Sequence, residues 1–219
     1  SSDSKSAAKQ GSVGELLKYR NVPLAAIVSI LAFSGYWGIM IFAPVYLTQI
    51  NLVSIETMGR IMSVMGIMTM IYAVVIPKLS DIFGRKPVLS IAICVPLVGA
   101  FIMGLAPGTT ISLAAYIVIG GILGTAGPIA WNIIPMESVP DYLKASSCGI
   151  ILGLGEIIGG AIFPYVGGKI ADAWGLPTMM IVIGCLLIGS LVFSLFIKET
   201  LPAKVRAHET QLRTSAEMA

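Results

Sequence analysis

The chain has 219 residues, of which 56% are hydrophobic and 11% are charged, and its formal net charge is +3. Soluble domains carry about 25% charged residues, so this composition excludes an ordinary soluble globular protein. The basic residues lie at the edges of apolar runs, a pattern that indicates anchoring at a bilayer surface and argues against nucleic-acid binding.

The first residues, SSDSKSAAKQGSVGELLKYRN, are rich in Ser, Ala, Lys and Gly and lack the apolar core of a signal peptide. Such a composition is typical of a flexible tether rather than of a folded element. Two interpretations are open from these residues alone: a disordered terminus, and a linker from a preceding domain.

Five stretches with at most one charged residue follow, and they determine the number of membrane spans. The longest, 87–136, is divided by the turn sequence APGTT at 106–110. A spanning helix needs about 20 mainly apolar residues, and no stretch alternates over about 10 residues as a barrel strand would. We therefore predict an all-α, polytopic membrane protein with six transmembrane helices near 22–48, 58–77, 87–106, 111–135, 145–167 and 175–197.

The basic residues also predict the orientation, because Lys and Arg accumulate in cytoplasmic loops. With the amino terminus inside, only Arg60 and Lys169 fall on the outer side. The basic residues on the inner side are then Lys5, Lys9, Lys18, Arg20, Lys78, Arg85, Lys86, Lys144, Lys198, Lys204, Arg206 and Arg213. We predict that both termini are cytoplasmic and that the membrane is a plasma (inner) membrane.

The link between the second and third predicted spans, IPKLSDIFGRKPVL at 76–89, is strongly charged. Gly84 permits a tight turn, and Asp81 can cap a helix or face a helix amino terminus. Arg85 and Lys86 can pair with carboxylates of neighbouring loops or contact an anionic leaflet. Such contacts suit a latch between conformations, and simple anchoring at the membrane surface is the alternative.

The same link has a second copy, since KLSDIFG at 78–84 reappears as KIADAWG at 169–175, 91 residues later. Each copy follows the second helix of a group of three. A repeated unit with an odd number of spans must enter the bilayer in the opposite direction. We therefore predict two inverted three-helix repeats, an arrangement that provides two equivalent packings for alternating access.

The residues SDIFGRK resemble the signature loop G-x-L-x-D-R-x-G-R-R/K between the second and third helices of each half in the major facilitator superfamily. The copy departs from the pattern at Pro77, where Gly is expected, and at Ile82, where a basic residue is common. The positions that match the pattern are Asp81, Gly84, Arg85 and Lys86.

Two further stretches are similar to the same superfamily. PMESVPDYLKA at 135–145 resembles its E-x-x-P-x-x-x-R motif, with Glu137, Pro140 and Lys144 in register, and IKETLP at 197–202 resembles the segment after its last helix. The resemblance implies helices seven to twelve of a twelve-helix secondary transporter. It implies an inter-half cytoplasmic linker at 1–21, a six-helix half at 22–198 and a cytoplasmic tail at 199–219.

By the same resemblance, a cytoplasmic gate would open and close as two six-helix halves rock about a central site. The implied gate residues are Asp81, Gly84, Arg85, Lys86, Glu137 and Lys144. We predict an ion pair between Arg85 or Lys86 and Glu137.

Glu156 is the only Asp, Glu, Lys or Arg deep in a predicted span. A charged side chain at the bilayer centre costs about 2.5–3.5 kcal/mol, so Glu156 must face protein or water. At 100° per residue it shares a helix face with glycines, which predicts burial at a close helix contact: Gly149, Gly153, Gly160 and Gly167. Burial favours a protonated carboxyl. Two roles remain open, a proton-coupling site and a structural hydrogen bond between helices.

The first and fourth helices of each half line the cavity in this superfamily, which directs attention to FSGYWGIMIFAP and GTAGPIAWNIIP. Aromatic rings with polar handles lie in the middle of both spans, and buried Tyr and Trp seek hydrogen-bond partners. Pro128 frees a backbone carbonyl and permits a kink. The candidate solute contacts are Phe33, Tyr36, Trp37, Thr125, Trp131 and Asn132; packing is the alternative role for the aromatic residues.

We therefore predict half of a secondary active transporter that moves a small organic metabolite, with an organic acid as the leading candidate, by proton-coupled symport. The expected partners are the solute, a proton, the lipid bilayer and an amino-terminal six-helix half. A sugar or drug carrier and a non-transporting six-helix subunit are the alternatives. No intramembrane His, carboxylate pair or HExxH-type spacing occurs, so we expect no enzyme activity, no cofactor and no metal.

Overall fold

A computed structural model describes residues 13–105, 108–202, 205 and 210. Six long apolar helices dominate it, and all six are long enough to cross a membrane. We number them in chain order: α1 Asn21–Gln49, α2 Ile55–Phe83, α3 Arg85–Leu105, α4 Thr110–Ser138, α5 Asp141–Trp174 and α6 Leu176–Phe196. A one-turn helix, Val13–Leu16, precedes α1. The described residues contain no strand, so the predicted all-α polytopic fold is confirmed.

The helices are longer than the predicted spans, most of all α2 and α5. The prediction ended the second span at residue 77, but α2 continues to Phe83, and α3 begins after a single non-helical residue, Gly84. The charged link at 76–89 is therefore helical on both sides of one glycine. Hydropathy marks only the lipid-embedded part of a helix, whereas backbone hydrogen bonding continues past the apolar core.

Two of the spans change their winding in mid-course. In α4 a π-helical segment, Ile129–Ile133, begins directly after Pro128, which is where the sequence predicted a kink. In α5 a longer π-helical segment covers Glu156–Ile162. Such segments add a residue to a turn and are frequent at functional sites. Both of them lie among the predicted site residues.

The helix packing supports the predicted repeat. Exchanging α1–α3 with α4–α6 turns the α1–α6 contact into the α4–α3 contact, and the α2–α4 contact into the α5–α1 contact. All four contacts are present. The two link glycines also match, because Gly84 has φ 104° and ψ 159° and Gly175 has φ 84° and ψ 160°. Each glycine N–H bonds the carbonyl four residues earlier, on Ser80 and Ala171 respectively.

The core lies where α1, α3, α4 and α6 pack together. Its fully buried members include Tyr46, Leu89, Ile93, Met103 and Leu123. By contrast, only 17% of the most apolar 18-residue stretch is buried in α2, and the same fraction is buried in α5. Those two helices therefore present most of their apolar surface outward. Most of the predicted linker (1–21) and tail (199–219) lies outside the described residues.

Candidate functional site

Arg85 is the centre of a charged cluster at the end of the bundle where α2 meets α3. Its side chain is 11% exposed. Its guanidinium donates to Glu137, with Nη2 at 3.1 Å from Oε1 and Nε at 3.3 Å from the same oxygen. It also donates to Asp81 and, at 3.2 Å, to the hydroxyl of Ser80. The predicted ion pair with Glu137 is therefore present for Arg85. Charge-assisted contacts of this kind are roughly twice as strong as neutral hydrogen bonds.

Glu199 completes this cluster, and the sequence analysis did not single it out. Its carboxylate accepts the backbone N–H groups of Arg85 (2.8 Å) and Lys86 (3.2 Å), which begin α3. It also accepts those of Thr200 and Leu201, at 3.1 and 3.0 Å. Glu199 thus caps a helix amino terminus from the segment after α6. Partial burial raises the pKa of this carboxyl, but the four N–H donors outweigh it, and the net pKa shift is downward.

Thr200 links the same segment to the ion pair, because its hydroxyl donates to Glu137 Oε2 at 2.5 Å. The Arg85 cluster (Ser80, Asp81, Arg85, Glu137, Glu199 and Thr200) therefore joins α2, α3, α4 and the segment after α6. An acid directly after the last apolar run is the only sequence signal that pointed to Glu199, and its partner lies 114 residues away.

Two predicted gate residues have other partners. The Lys86 ammonium donates to the carbonyl of Leu195 on α6 at 2.6 Å, so it does not pair with Glu137. Lys144 pairs with Asp141 at 2.6 Å, within its own helix. Lys144 is therefore not part of the Arg85 cluster in this structure, and its role in a gate stays a prediction. The motif gave Lys144 its position along the chain, but the 3₁₀ turn at Asp141–Leu143 offers it a nearer carboxylate.

Glu156 lies in the middle of α5 and is exposed, which corrects the prediction that it is buried at a close helix contact. Its Oε2 accepts a hydrogen bond from the indole Nε1 of Trp37 on α1, at 3.1 Å. A Cβ on Gly160 would lie 2.6 Å from that oxygen and 2.9 Å from the indole nitrogen. The absence of a side chain at Gly160 therefore lets the carboxylate and the indole meet.

The predicted glycine face of α5 is not a packing face throughout. A Cβ on Gly149 or Gly153 would have no neighbour within 4 Å. The glycines in contact with α1 are instead Gly155 and Gly159, where a Cβ would lie 2.4 and 2.6 Å from Phe33. Glu156 begins the π-helical segment, whose extra residue shifts the register beyond it.

Phe33 and Trp131, both predicted as solute contacts, pack in the interior of this chain and leave little surface for a solute. They are 4% and 7% exposed, and their ring centroids lie 4.2 Å apart. Helical spacing placed them beside the correct residues, but it does not distinguish a core ring from a cavity ring. The packing role that the sequence left open fits them better.

The four other candidates are all partly exposed: Tyr36, Trp37, Thr125 and Asn132. Tyr36 and Thr125 line a cavity of about 350 Å³ between α1, α2 and α4, which we call the mid-span cavity. Tyr36 also makes an edge-on contact with Trp37, with ring centroids 5.4 Å apart. The structure thus brings Tyr36, Trp37, Thr125 and Glu156 into one region, halfway along the spans.

Comparison with known proteins identifies the family. The sequence profile of the Major Facilitator Superfamily matches residues 25–217. The chain belongs to this superfamily. An "MFS-type transporter" from Aspergillus terreus (strain NIH 2624 / FGSC A1156) is 40% identical over 95 residues. That match covers 41% of this chain and 17% of the relative, so the chain corresponds to a small part of the relative's length.

Membership in the Major Facilitator Superfamily agrees with the six apolar helices. The chain is therefore part of an integral, multi-pass membrane protein. Among the described residues, the predicted site residues fall mainly in two polar regions. One is the Arg85 cluster at one end of the bundle, and the other is the Trp37–Glu156 pair with the mid-span cavity at half height.

Proposed function

We propose that this chain is the carboxyl-terminal six-helix half of a secondary active transporter. It works with an amino-terminal six-helix half, and the pair moves a small organic metabolite by alternating access. The large outward apolar faces of α2 and α5 support this proposal, because two helices so little covered within the chain need either lipid or a second bundle beside them.

The observation that carries the proposed mechanism is the Trp37–Glu156 hydrogen bond. Glu156 is the only Asp, Glu, Lys or Arg far from the ends of the six spans. It is exposed within this chain and reaches an indole on another helix. Ionisable residues within membrane spans are rare and mark proton and ion pathways. We therefore propose proton-coupled symport, with Glu156 as the proton site.

The Arg85 cluster is proposed as the cytoplasmic gate. The Arg85–Glu137 pair at its centre is only partly exposed, at 11% for the Arg85 side chain and 22% for that of Glu137, whereas the Asp81 side chain is 65% exposed. Contacts of this kind hold one conformation and can be broken in another. In this proposal both termini are cytoplasmic, in a plasma (inner) membrane, as the distribution of Lys and Arg favours.

An organic acid is the first solute class to test. None of the described Lys or Arg side chains lies inside a span, away from its ends, so the cation for a solute carboxylate would come from the amino-terminal half. A sugar or drug carrier is the second candidate, favoured by the uncharged lining of the mid-span cavity.

The test is uptake into proteoliposomes, with and without an inward proton gradient, by the wild-type protein and by Glu156→Gln. The Gln side chain keeps an oxygen that can accept a hydrogen bond from the Trp37 N–H, but it does not bind a proton over the pH range of the assay. We expect the variant to retain exchange of labelled solute across the membrane and to lose acceleration by the gradient. Thr178→Val on α6 serves as a control remote from the site.

The possible outcomes separate the alternatives. Gradient-driven uptake that is unchanged in Glu156→Gln would remove Glu156 from the coupling mechanism. Solute exchange with no response to a gradient in the wild-type protein would indicate facilitated diffusion. Absence of any solute exchange over a panel of acids, sugars and drugs would support the non-transporting subunit.

A further inference from the structure

The mid-span cavity has a chemistry that restricts what it can hold. It lies between α1, α2 and α4 near the middle of each span, and its volume of about 350 Å³ suits a small group. Its lining contains glycines, two thioethers and three hydroxyl groups. The residues that supply the last two are Tyr36, Met40, Met65, Thr69 and Thr125. Thr69 and Met65 were not among the residues predicted from the sequence.

The two threonines offer acceptors and no free proton. The Thr69 hydroxyl donates to the carbonyl of Met65 at 2.9 Å. The Thr125 hydroxyl donates to the carbonyls of Gly121 and Ile122, both at 3.0 Å. A hydroxyl has one proton and two lone pairs. A guest in the cavity therefore meets two oxygens that can only accept.

Both threonines converge on Gly121. A Cβ on this glycine would lie 2.2 Å from Thr69 Oγ1, so the hydroxyl rests directly against the helix backbone. Thr125 binds the carbonyl of the same residue. On the next turn, a Cβ on Gly124 would lie 2.9 Å from the Tyr36 ring. The glycines of α4 therefore allow the three hydroxyl-bearing side chains to approach the same part of its backbone.

A buried phenol beside the cavity supplies the second observation. Tyr116 is 0% exposed, and its hydroxyl has no hydrogen-bond partner among the residues that the structure describes. Tyr116 lies one helical turn before Gly120, which lines the cavity, and its phenol is in electrostatic range of the Tyr36 phenol. A buried hydroxyl without a partner is costly. Tyr36, which lines the cavity, has a hydroxyl that can donate to a bound molecule as well as accept from it.

The geometry points to a subsite that binds a neutral hydroxyl group of the transported solute. This inference rests on the proposed transport function and adds the chemical class of the solute. A hydroxyl can donate to Thr69 or Thr125 and accept from Tyr36 in the same pose. Carbon–hydrogen surface on either side of it packs on Met40 and Met65.

The two charged alternatives fit less well. A carboxylate cannot donate to the threonine oxygens. An ammonium can donate, but it would bring a charge to the middle of the bilayer against a lining that has no carboxylate. The subsite therefore favours a hydroxylated solute over its deoxy analogue. The charge of such a solute, if it has one, is bound elsewhere.

The experiment compares matched pairs of compounds that differ by one hydroxyl group: lactate with propionate, malate with succinate, serine with alanine, and glucose with 2-deoxyglucose. Each compound is titrated against the purified wild-type protein in detergent, with the shift in Tm as the readout. Thr69→Val and Thr125→Val remove one oxygen each at nearly constant shape. Thr178→Val is the matched control, because Thr178 also donates to its own helix, at 2.8 Å from the carbonyl of Trp174.

For at least one pair, we expect the hydroxylated member to stabilise the wild-type protein at a concentration roughly tenfold below that of its partner. Thr69→Val and Thr125→Val should each reduce that ratio to about twofold or less, while Thr178→Val leaves it unchanged. If no pair shows a preference, or if the threonine variants weaken both members equally, the subsite assignment is wrong.

The result is independent of proton coupling. A hydroxyl preference in a protein whose uptake ignores the proton gradient would overturn the proposed symport and keep the subsite. Gradient-driven uptake by a protein that shows no hydroxyl preference would do the reverse.

Discussion

Arg85 and Glu137 form an ion pair between α3 and α4, with Nη2 at 3.1 Å from Oε1, although 52 residues separate them in the chain. The pair does not stand alone. Asp81 and Ser80 bind the same guanidinium, and Thr200 binds the same carboxylate. Four segments of the chain therefore depend on two side chains, which makes the pair a sensitive point for the conformational equilibrium of the bundle.

Charge reversal tests this pair. Arg85→Glu would place three carboxylates together, and Glu137→Arg would place two guanidinium groups together, in surroundings with little water. We expect each single variant to lower the rate of uptake at least about tenfold, which corresponds to about 1.4 kcal/mol. The double variant restores the attraction but leaves the contact with Asp81 altered, so we expect partial recovery of uptake in proteoliposomes.

A matched control exists on α2, where Arg60 and Glu56 pair at 2.6 Å with side chains 78% and 77% exposed. Exposed pairs of this kind contribute about 0–1 kcal/mol, so reversing both charges there should leave uptake near the wild-type rate. Equal losses in the single and double variants of Arg85 and Glu137 would argue against a gating role for their attraction.

Gly160 is the second sensitive position, because a methyl group there would overlap the Trp37–Glu156 contact. Gly160→Ala is expected to separate the indole from the carboxylate, since the added Cβ would lie 2.6 Å from Glu156 Oε2. We expect the loss of gradient-driven uptake to resemble that of Glu156→Gln. Trp37 fluorescence, measured with Trp131 and Trp174 replaced by Phe, should report a changed surrounding of the indole.

Gly153→Ala provides the control for this prediction, because a Cβ at Gly153 has no neighbour within 4 Å. Both substitutions lie in α5 and add the same methyl group. If Gly160→Ala leaves the Trp37 emission and the gradient response as they are in Gly153→Ala, the close approach at Gly160 has no part in coupling.

The parts of this structure that the sequence predicted are those that depend on local composition. Six apolar runs predict six spans, and a Gly between charged residues predicts the turn at Gly84. The pairing of Arg85 with Glu137 followed from a family resemblance. The exposure of Glu156 and the burial of Phe33 depend instead on which helix face meets a neighbour. Periodicity places residues on one face without showing what that face contacts.

Two further features could not be predicted from the sequence, for different physical reasons. The π-helical segment at Glu156–Ile162 changes the register within α5, so a constant 100° per residue misplaces the glycines near it. Glu199 caps α3 across a large separation in sequence, and nothing near Glu199 indicates the helix whose N–H groups it accepts. Long-range capping is a property of the tertiary fold.

Glu199 leads to a prediction about pH. Its pKa is lowered from the ordinary value of 4.5 because four backbone N–H groups favour the charged carboxylate despite partial burial. A depressed carboxyl pKa contributes stability above the ordinary value, and the contribution is lost as the pH falls through the folded-state pKa. Glu199→Gln should therefore lower the Tm most at neutral pH. The expected loss in the free energy of unfolding is about 1 kcal/mol.

Thermal unfolding of both proteins in detergent between pH 3 and pH 7 checks this expectation. The two Tm curves should converge as the pH falls through the lowered pKa of the folded-state carboxyl, where the wild-type side chain also becomes neutral. Glu56→Gln, at an exposed position on α2, is the control and should shift the Tm little at any pH. A constant difference between wild type and Glu199→Gln would mean that charge is not what stabilises the cap.

The matching turns at Gly84 and Gly175 give the last prediction. Both residues have a φ that L-residues with side chains rarely adopt, at 104° and 84°, with ψ near extended values at 159° and 160°. This region is essentially restricted to glycine, and a residue with a Cβ costs about 1–3 kcal/mol there. We expect Gly84→Ala and Gly175→Ala to lower the Tm by similar amounts, because the two turns are equivalent positions of the repeat.

Gly168→Ala is the control, because Gly168 lies within the last helical turns of α5 and has open space around its Cβ. This substitution should raise the Tm slightly, since Ala is favoured over Gly inside a helix by about 0.5–1 kcal/mol. Loss of stability at Gly84 alone would show that only the charged copy of the turn is constrained, and the two three-helix units would then not be equivalent at this position.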